Sequence, residues 1–147
     1  MKKNIILTSS PEKTRRAGSM LAEELLKRKS GSFAKVVGLR GDLGGGKTTF
    51  LKGFARRLGV SRNILSPTFV IMRRYHAGGT GIEDFYHLDC YRVGPKEILN
   101  LGFKKIISCN RNVVAIEWAD RIKRIMPKNT IWVDFEFISD RKRKITF

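Results

Sequence analysis

The sequence predicts an α/β fold: one domain over residues 1–147, with a mainly parallel central sheet, helices on both faces and a small antiparallel addition. Three observations carry that expectation. A strand-like segment, Ala34 to Arg40, runs into Gly41-Asp42-Leu43-Gly44-Gly45-Gly46-Lys47-Thr48 and then into a helical pattern. Asn112-Val113-Val114-Ala115-Ile116 is apolar with little alternation, as a buried parallel strand requires. Ile131, Val133, Phe135 and Phe137 alternate with Trp132, Asp134 and Glu136, the period of a strand.

Taken from the N-terminus, Asn4 to Thr8 reads as a short strand. Ser10 and Pro11 follow as an N-cap and a first helical residue. Ala17, Met20, Leu21 and Leu25, at i, i+3, i+4 and i+8, make the apolar face of a helix ending near Lys29-Ser30-Gly31. Lys47 to Leu58 read as a second helix, with Phe50, Leu51, Phe54 and Leu58 on one face and Gly59 closing it. Thr68 to His76 and Ile82 to Asp89 read as strands joined in a hairpin by Ala77-Gly78-Gly79-Thr80-Gly81. Gly94-Pro95 opens a short helix holding Ile98 and Leu101, with Gly102 as its stop. At the end, Arg143 to Phe147 pairs back on the alternating strand through Ser139-Asp140.

The glycine segment has G-x-x-x-x-G-K-T spacing, which makes the domain P-loop NTPase-like. Its glycines let backbone N–H groups turn inward around a phosphate, and the following helix N-terminus adds roughly half a positive charge. Asp42, Leu43, Gly44, Gly45, Gly46, Lys47, Thr48 and Thr49 are the expected nucleotide-binding residues. Lys47 is expected on the β- and γ-phosphates and the Thr48 hydroxyl on Mg2+. Such a loop needs a second carboxylate at the end of a neighbouring strand, and Glu117, which directly follows the apolar run ending at Ile116, either is that group or merely opens the following loop. Trp118 packs either beside the nucleotide or against core or partner.

Two further clusters carry polar chemistry. Ser66-Pro67-Thr68 offers a hydroxyl at the position of a γ-phosphate sensor, although the same tripeptide is an ordinary loop-to-strand entry. In His87-Leu88-Asp89-Cys90-Tyr91-Arg92, alternation puts His87, Asp89 and Tyr91 on one strand face. Asp89 is placed to orient a water and Arg92 to meet a phosphate. A zinc site from His87, Asp89 and Cys90 is disfavoured because Cys90 points the other way; a plain polar strand end is the remaining alternative.

Composition sets the outer limits. A hydrophobic fraction of 41% with nine phenylalanines supports one real core, and no apolar run approaches the ~20 residues of a membrane span. Met1-Lys2-Lys3-Asn4 leads into too short an apolar run for a signal peptide. Cys90 and Cys109 form no disulfide framework and suit a reducing cytoplasm. Thirty Lys and Arg against thirteen Asp and Glu give +17. A field of that size suits a polyanion such as RNA, or is a solvated surface. The dense spots are Arg73-Arg74 and Arg141-Lys142-Arg143-Lys144.

Together, Gly-Asp-Leu-Gly-Gly-Gly-Lys-Thr-Thr-Phe (41–50), Ser-Pro-Thr-Phe (66–69), His-Leu-Asp-Cys-Tyr-Arg (87–92) and Glu-Trp (117–118) resemble the TsaE family in order and spacing. The resemblance implies a cytoplasmic, Mg2+-dependent ATPase acting with TsaB and TsaD in threonylcarbamoyladenosine modification of tRNA. It implies an indirect relation to tRNA, with direct contact left open by the charge, and no membrane. By position, Lys47 holds phosphate, Thr48 and Glu117 serve Mg2+, and Thr68, Asp89 and Glu117 serve hydrolysis. Gly45 stands where the family often has alanine. The rival readings are a small P-loop kinase and a nucleotide-gated binding module.

Overall fold

The computed structural model describes residues 3–42, 44 and 46–147. Its strands are β1 (Ile5–Thr8), β2 (Lys35–Gly41), β3 (Met72–His76), β4 (Asp84–Asp89), β5 (Asn112–Glu117), β6 (Ile131–Ser139) and β7 (Lys142–Thr146). They form one seven-stranded sheet in the order β1-β7-β6-β2-β5-β4-β3. β6, β2, β5 and β4 run parallel at the centre. Antiparallel strands flank them on both sides, β3 on β4 and the pair β7 and β1 beyond β6.

Alternation along the strands divides the core into two layers. Val37, Leu39, Phe85, Val113, Ala115 and Val133 pack with α1 (Pro11–Lys27) and α2 (Lys47–Arg57). Val36, Tyr86, Leu88, Val114 and Ile116 face the other side, with α3 (Pro95–Asn100), α4 (Phe103–Ile107) and a 3-10 segment, Ala119–Ile125. The same parity carries past the last apolar residue of each strand. His87, Asp89 and Glu117 therefore share the α2 side of the sheet, and Cys90 lies in the opposite layer.

The first helix begins as expected, with Ser10 Oγ accepting from Lys13 N at 3.2 Å and Pro11 in the first turn. It stops at Lys27, short of the expected end, because the Lys35 ammonium takes the Leu25 carbonyl at 2.6 Å and the Arg28 carbonyl at 3.3 Å. Ala17, Leu21 and Leu25 are buried, but Met20 is exposed: at 100° per residue it falls beyond the edge of the buried stripe. Glycines set how near α1 and α2 come. A Cβ on Gly18 would lie 1.9 Å from the Phe50 carbonyl oxygen, and one on Gly53 would lie 1.8 Å from that of Arg15.

Other boundaries differ from the sequence expectation. The strand expected from Thr68 begins only at Met72. Pro67 O accepts from Val70 N and Ile71 N, closing a turn that holds Ile71 at φ +70°. Leu101 caps α3 and is half-exposed rather than core, and Gly102 starts α4, a helix the sequence reading did not separate. The β6–β7 hairpin is present, turning at Asp140-Arg141, and Phe137 near its tip is exposed.

Gly53→Ala should lower stability by about 3 kcal/mol, because its Cβ meets backbone rather than a movable side chain. The melting temperature should fall by roughly 10 °C; a variant melting within about 2 °C of the parent would contradict this helix contact.

Candidate functional site: the β2–α2 cleft

Parallel strands β2, β5 and β4 end side by side, with Leu39 opposite Glu117 and Glu117 opposite Asp89 in register. The chain leaves β2 at Gly41, whose φ is +140° and where a Cβ would lie 2.3 Å from Phe135 O, so only glycine fits there. It enters α2 through Gly46, held left-handed at φ +93°. Gly44, Gly46, Lys47, Thr48 and Thr49 line a cavity of about 490 Å³. Its other wall holds Ser66, Thr68, Asp89, Tyr91, Glu117 and Trp118. A larger cavity of about 750 Å³ lies elsewhere, between α1 and α2. Chemistry, not volume, singles out the smaller one.

The buried Glu117 carboxylate organises the floor. Thr48 Oγ1 donates to its two oxygens at 3.1 and 3.2 Å, and His87 Nε2 donates to Oε2 at 2.6 Å. His87 is fully buried and stacked on Phe85, and among the described residues its Nδ1 has no partner. Asp89 is held beside it: Thr68 Oγ1 donates to Oδ2 at 3.0 Å and Tyr91 N to Oδ1 at 2.8 Å. Since Thr68 spends its proton on Asp89, Ser66 Oγ donates to Thr68 at 2.7 Å, a chain of three polar groups.

Lys47 closes the cleft from the other side. Its ammonium donates to the Gly41 and Asp42 carbonyls, both at 2.8 Å, and sits 4.2 Å below the Trp118 ring. Burial lowers the Lys47 pKa, with Glu117, Asp42, Asp89 and Asp120 opposing that loss of charge. Trp118 takes a left-handed backbone conformation, φ 59°, which costs a non-glycine residue about 1–2 kcal/mol. Tyr91, 5.0 Å away, and Arg121, 5.4 Å above the ring, hold it there. Arg121 also donates to Tyr91 O at 2.6 Å.

Among the expected nucleotide-binding residues, Gly44, Gly46, Lys47, Thr48 and Thr49 meet in this cavity. Asp42 is exposed and supplies its carbonyl to Lys47 rather than lining the cavity. Leu43 and Gly45 lie outside the described residues. The expected catalytic residues Thr68, Asp89 and Glu117 all line it, and Thr48 and Glu117, expected on the metal, are in contact. Arg92 is exposed and stacked on Phe69, away from this lining. Among the described residues no three His, Cys, Asp or Glu side chains are grouped to hold a metal. Cys90 packs in the other layer, so the zinc reading has no geometry behind it.

Three contributors were not read from the sequence as site residues. Arg143, from the basic tail, lines the cavity and donates through Nε to Gly44 O at 2.6 Å and through Nη1 to Ser139 O at 2.6 Å. Only its place in a dense basic tail marked it beforehand. Thr14 and Thr8, hydrogen-bonded at 2.8 Å, line an adjoining cavity of about 390 Å³ that shares Gly46, Thr49 and Arg143 with the first. The two cavities thus adjoin at Gly46, Thr49 and Arg143.

This architecture and this cleft define an α/β protein of the phosphate-loop type. Residues 8–145 match the family described as Threonylcarbamoyl adenosine biosynthesis protein TsaE. The chain belongs to the TsaE family, which acts in tRNA threonylcarbamoyladenosine biosynthesis. It is 36% identical over 143 residues to the tRNA threonylcarbamoyladenosine biosynthesis protein TsaE of Bacillus subtilis, covering 95% of this chain and 82% of the relative. The protein of the same name from Rickettsia felis is 33% identical over 141 residues, covering 95% and 76%. The crystal structure of YdiB of Bacillus subtilis superposes with a TM-score of 0.78 at 32% identity, covering 99% of this chain and 84% of that one. Among the described residues no helix is long and apolar enough to cross a membrane.

Burial and the charges of Asp89 and Asp120 push the Cys90 thiol up to about 12, whereas Cys109 is half-exposed. A disulfide reagent at pH 8 should therefore label one thiol in the folded protein and two after denaturation. Rapid labelling of both in the native state would contradict the buried placement of Cys90.

Proposed function

We propose that the cleft binds ATP with Mg2+ and hydrolyses it, and that this cytoplasmic ATPase cycle supports TsaB- and TsaD-type partners in modifying tRNA. One observation carries the reading. A glycine loop, a desolvated lysine, a threonine hydroxyl and two carboxylates from adjacent strand ends all line one cavity. Nothing in the catalysis of phosphoryl transfer demands more than positioning and charge.

The residues divide the work by their contacts. The first turn of α2 and the loop before it offer N–H groups and a positive dipole end to phosphate oxygens. Lys47, short of solvation and of full counter-charge, gains most from an arriving anion. Thr48 and Glu117, a hydroxyl and a carboxylate 3.1 Å apart, suit a hard cation with oxygen ligands. Mg2+, when bound with the nucleotide, supplies neutralisation of phosphate charge there. His87 does not face the nucleotide; it fixes the Glu117 carboxylate and is a positioning residue. Asp89, anchored by Thr68 and Tyr91, is placed to orient a water and accept its proton. The nucleoside end fits the adjoining cavity at the start of α1, past Thr49.

Arginine supply limits the isolated protein. Arg143 is already committed to the Gly44 and Ser139 carbonyls, and Arg92 stacks on Phe69. An arginine given in trans contributes about 10³–10⁵ in rate to related reactions. Slow intrinsic hydrolysis, rising when partners and tRNA are added, is the expected behaviour. Inorganic phosphate as the product, rather than a phosphorylated metabolite, separates this reading from a kinase.

Calorimetry and single-turnover hydrolysis test the assignment residue by residue. Lys47→Ala should lose ATP affinity by about 100-fold or more while keeping its melting temperature, because Lys47 serves no apolar core. Glu117→Gln should still bind ATP but hydrolyse it about 10²-fold more slowly. Unchanged affinity in the first variant, or parental turnover in the second, would overturn the assignment.

The lowered Lys47 pKa adds a pH signature. Only the charged lysine holds phosphate, so ATP affinity should decline as pH rises through Lys47's depressed value, below the range of an ordinary lysine. Affinity that stays flat into the ordinary lysine range would contradict it.

A further inference from the structure

A cavity of about 750 Å³ lies on the outer surface between α1 and α2 and takes no part in the cleft described above. Six cations line it: Arg15, Arg16, Lys52, Arg56, Arg57 and Arg62. Glu12 is its one carboxylate. Such a concentration is built by the helix contact. Gly53 forms part of the lining and lies against the Arg15 backbone, where a Cβ would come 1.8 Å from the carbonyl oxygen, so glycine here lets the two cationic rows come close together.

Like charges gathered this way repel, and the protein does little to neutralise them. Among the described residues, only Arg57 of the six has an ion pair, a loose one to Glu23 at 3.9 Å between half-exposed side chains. Among the described residues, the side chains of Arg15, Arg16, Lys52, Arg56 and Arg62 make no ion pair or hydrogen bond. All five are exposed. Bringing them together costs repulsion that an external polyanion would relieve.

We propose that this α1–α2 groove binds the phosphate backbone of RNA, at a site separate from the nucleotide cleft. Five of the six cations are arginines, whose planar, multiply donating heads match phosphate oxygens. An acidic protein surface fits less well. Protein interfaces centre on buried aromatic or aliphatic anchors, and the apolar residues of this groove, Val60 and Ile64, are already buried within the fold. The inference does not depend on ATP binding; family membership contributes only the choice of tRNA as the RNA to test.

The test is a fluorescence-anisotropy titration of the full chain with end-labelled transfer RNA across about 50–200 mM salt. Two triple variants of equal charge change are compared. Arg15→Ala/Arg56→Ala/Arg62→Ala empties the groove, and Lys104→Ala/Lys105→Ala/Lys128→Ala removes three exposed lysines remote from it. The groove variant should bind about tenfold or more weakly and lose about two from the slope of log affinity against log salt. The remote variant should change by less than about threefold. Both should retain parental ATP affinity and melting temperature, which separates this proposal from the fate of the cleft. Equal losses in the two variants would show a diffuse field and overturn the groove as a site. Displacement of the RNA by polyglutamate at equal charge would assign the groove to an acidic protein instead, and equally overturn it.

Discussion

Everything at the cleft depends on a carboxylate being buried and kept satisfied. Glu117 ends β5 in the parallel centre of the sheet, only 4% exposed, where an unpartnered charge would cost several kcal/mol. Its partners come from different parts of the chain: Thr48 from the first turn of α2 and His87 from β4. Satisfying Glu117 thus fixes where α2 starts relative to the sheet, and with it where the glycine loop opens. The neighbouring backbone is tied to the same point, since Cys90 N donates to Glu117 O at 3.0 Å.

A second layer is stacked above that floor, and its order reverses the usual logic of burial. Lys47 is desolvated between its own loop carbonyls and the Trp118 ring, itself wedged by Tyr91 and Arg121. Loop carbonyls are weaker partners for an ammonium than phosphate is. The same contacts that steady the lysine therefore leave it ready to exchange carbonyls for an anion. The strained Trp118 backbone belongs to this arrangement, because the left-handed turn is what lays the indole across Lys47.

Much of the fold was legible because its period is local. The βα unit at 34–58, the buried run at 112–116 and the cap at Ser10-Pro11 are all set by residues next to one another. The face shared by His87 and Asp89 followed from alternation alone, as did the exclusion of Cys90 from it. What escaped were features set by register or by distant partners. Nothing near His87 announces that its imidazole meets Glu117, since that contact needs β4 and β5 aligned with Asp89 opposite Glu117. Arg143 reaches the Gly44 carbonyl across 99 residues of sequence. The strand expected from Thr68 failed for a local reason: Thr68, Phe69 and Val70 are strand-formers, but the Pro67 carbonyl closes a turn over them.

Two positively charged features thus occupy different places: a narrow cleft that concentrates charge on one buried lysine, and a broad outer groove with six exposed cations. A highly basic chain gives any anion many weak choices, so location, rather than affinity alone, decides the account. Amide chemical-shift mapping with MgATP measures location directly. The largest shifts are expected at Gly44, Gly46, Lys47, Thr48 and Thr49, with smaller ones at Glu117 and Trp118. Shifts centred instead on Arg15, Lys52 and Arg56, with the loop amides unmoved, would contradict it.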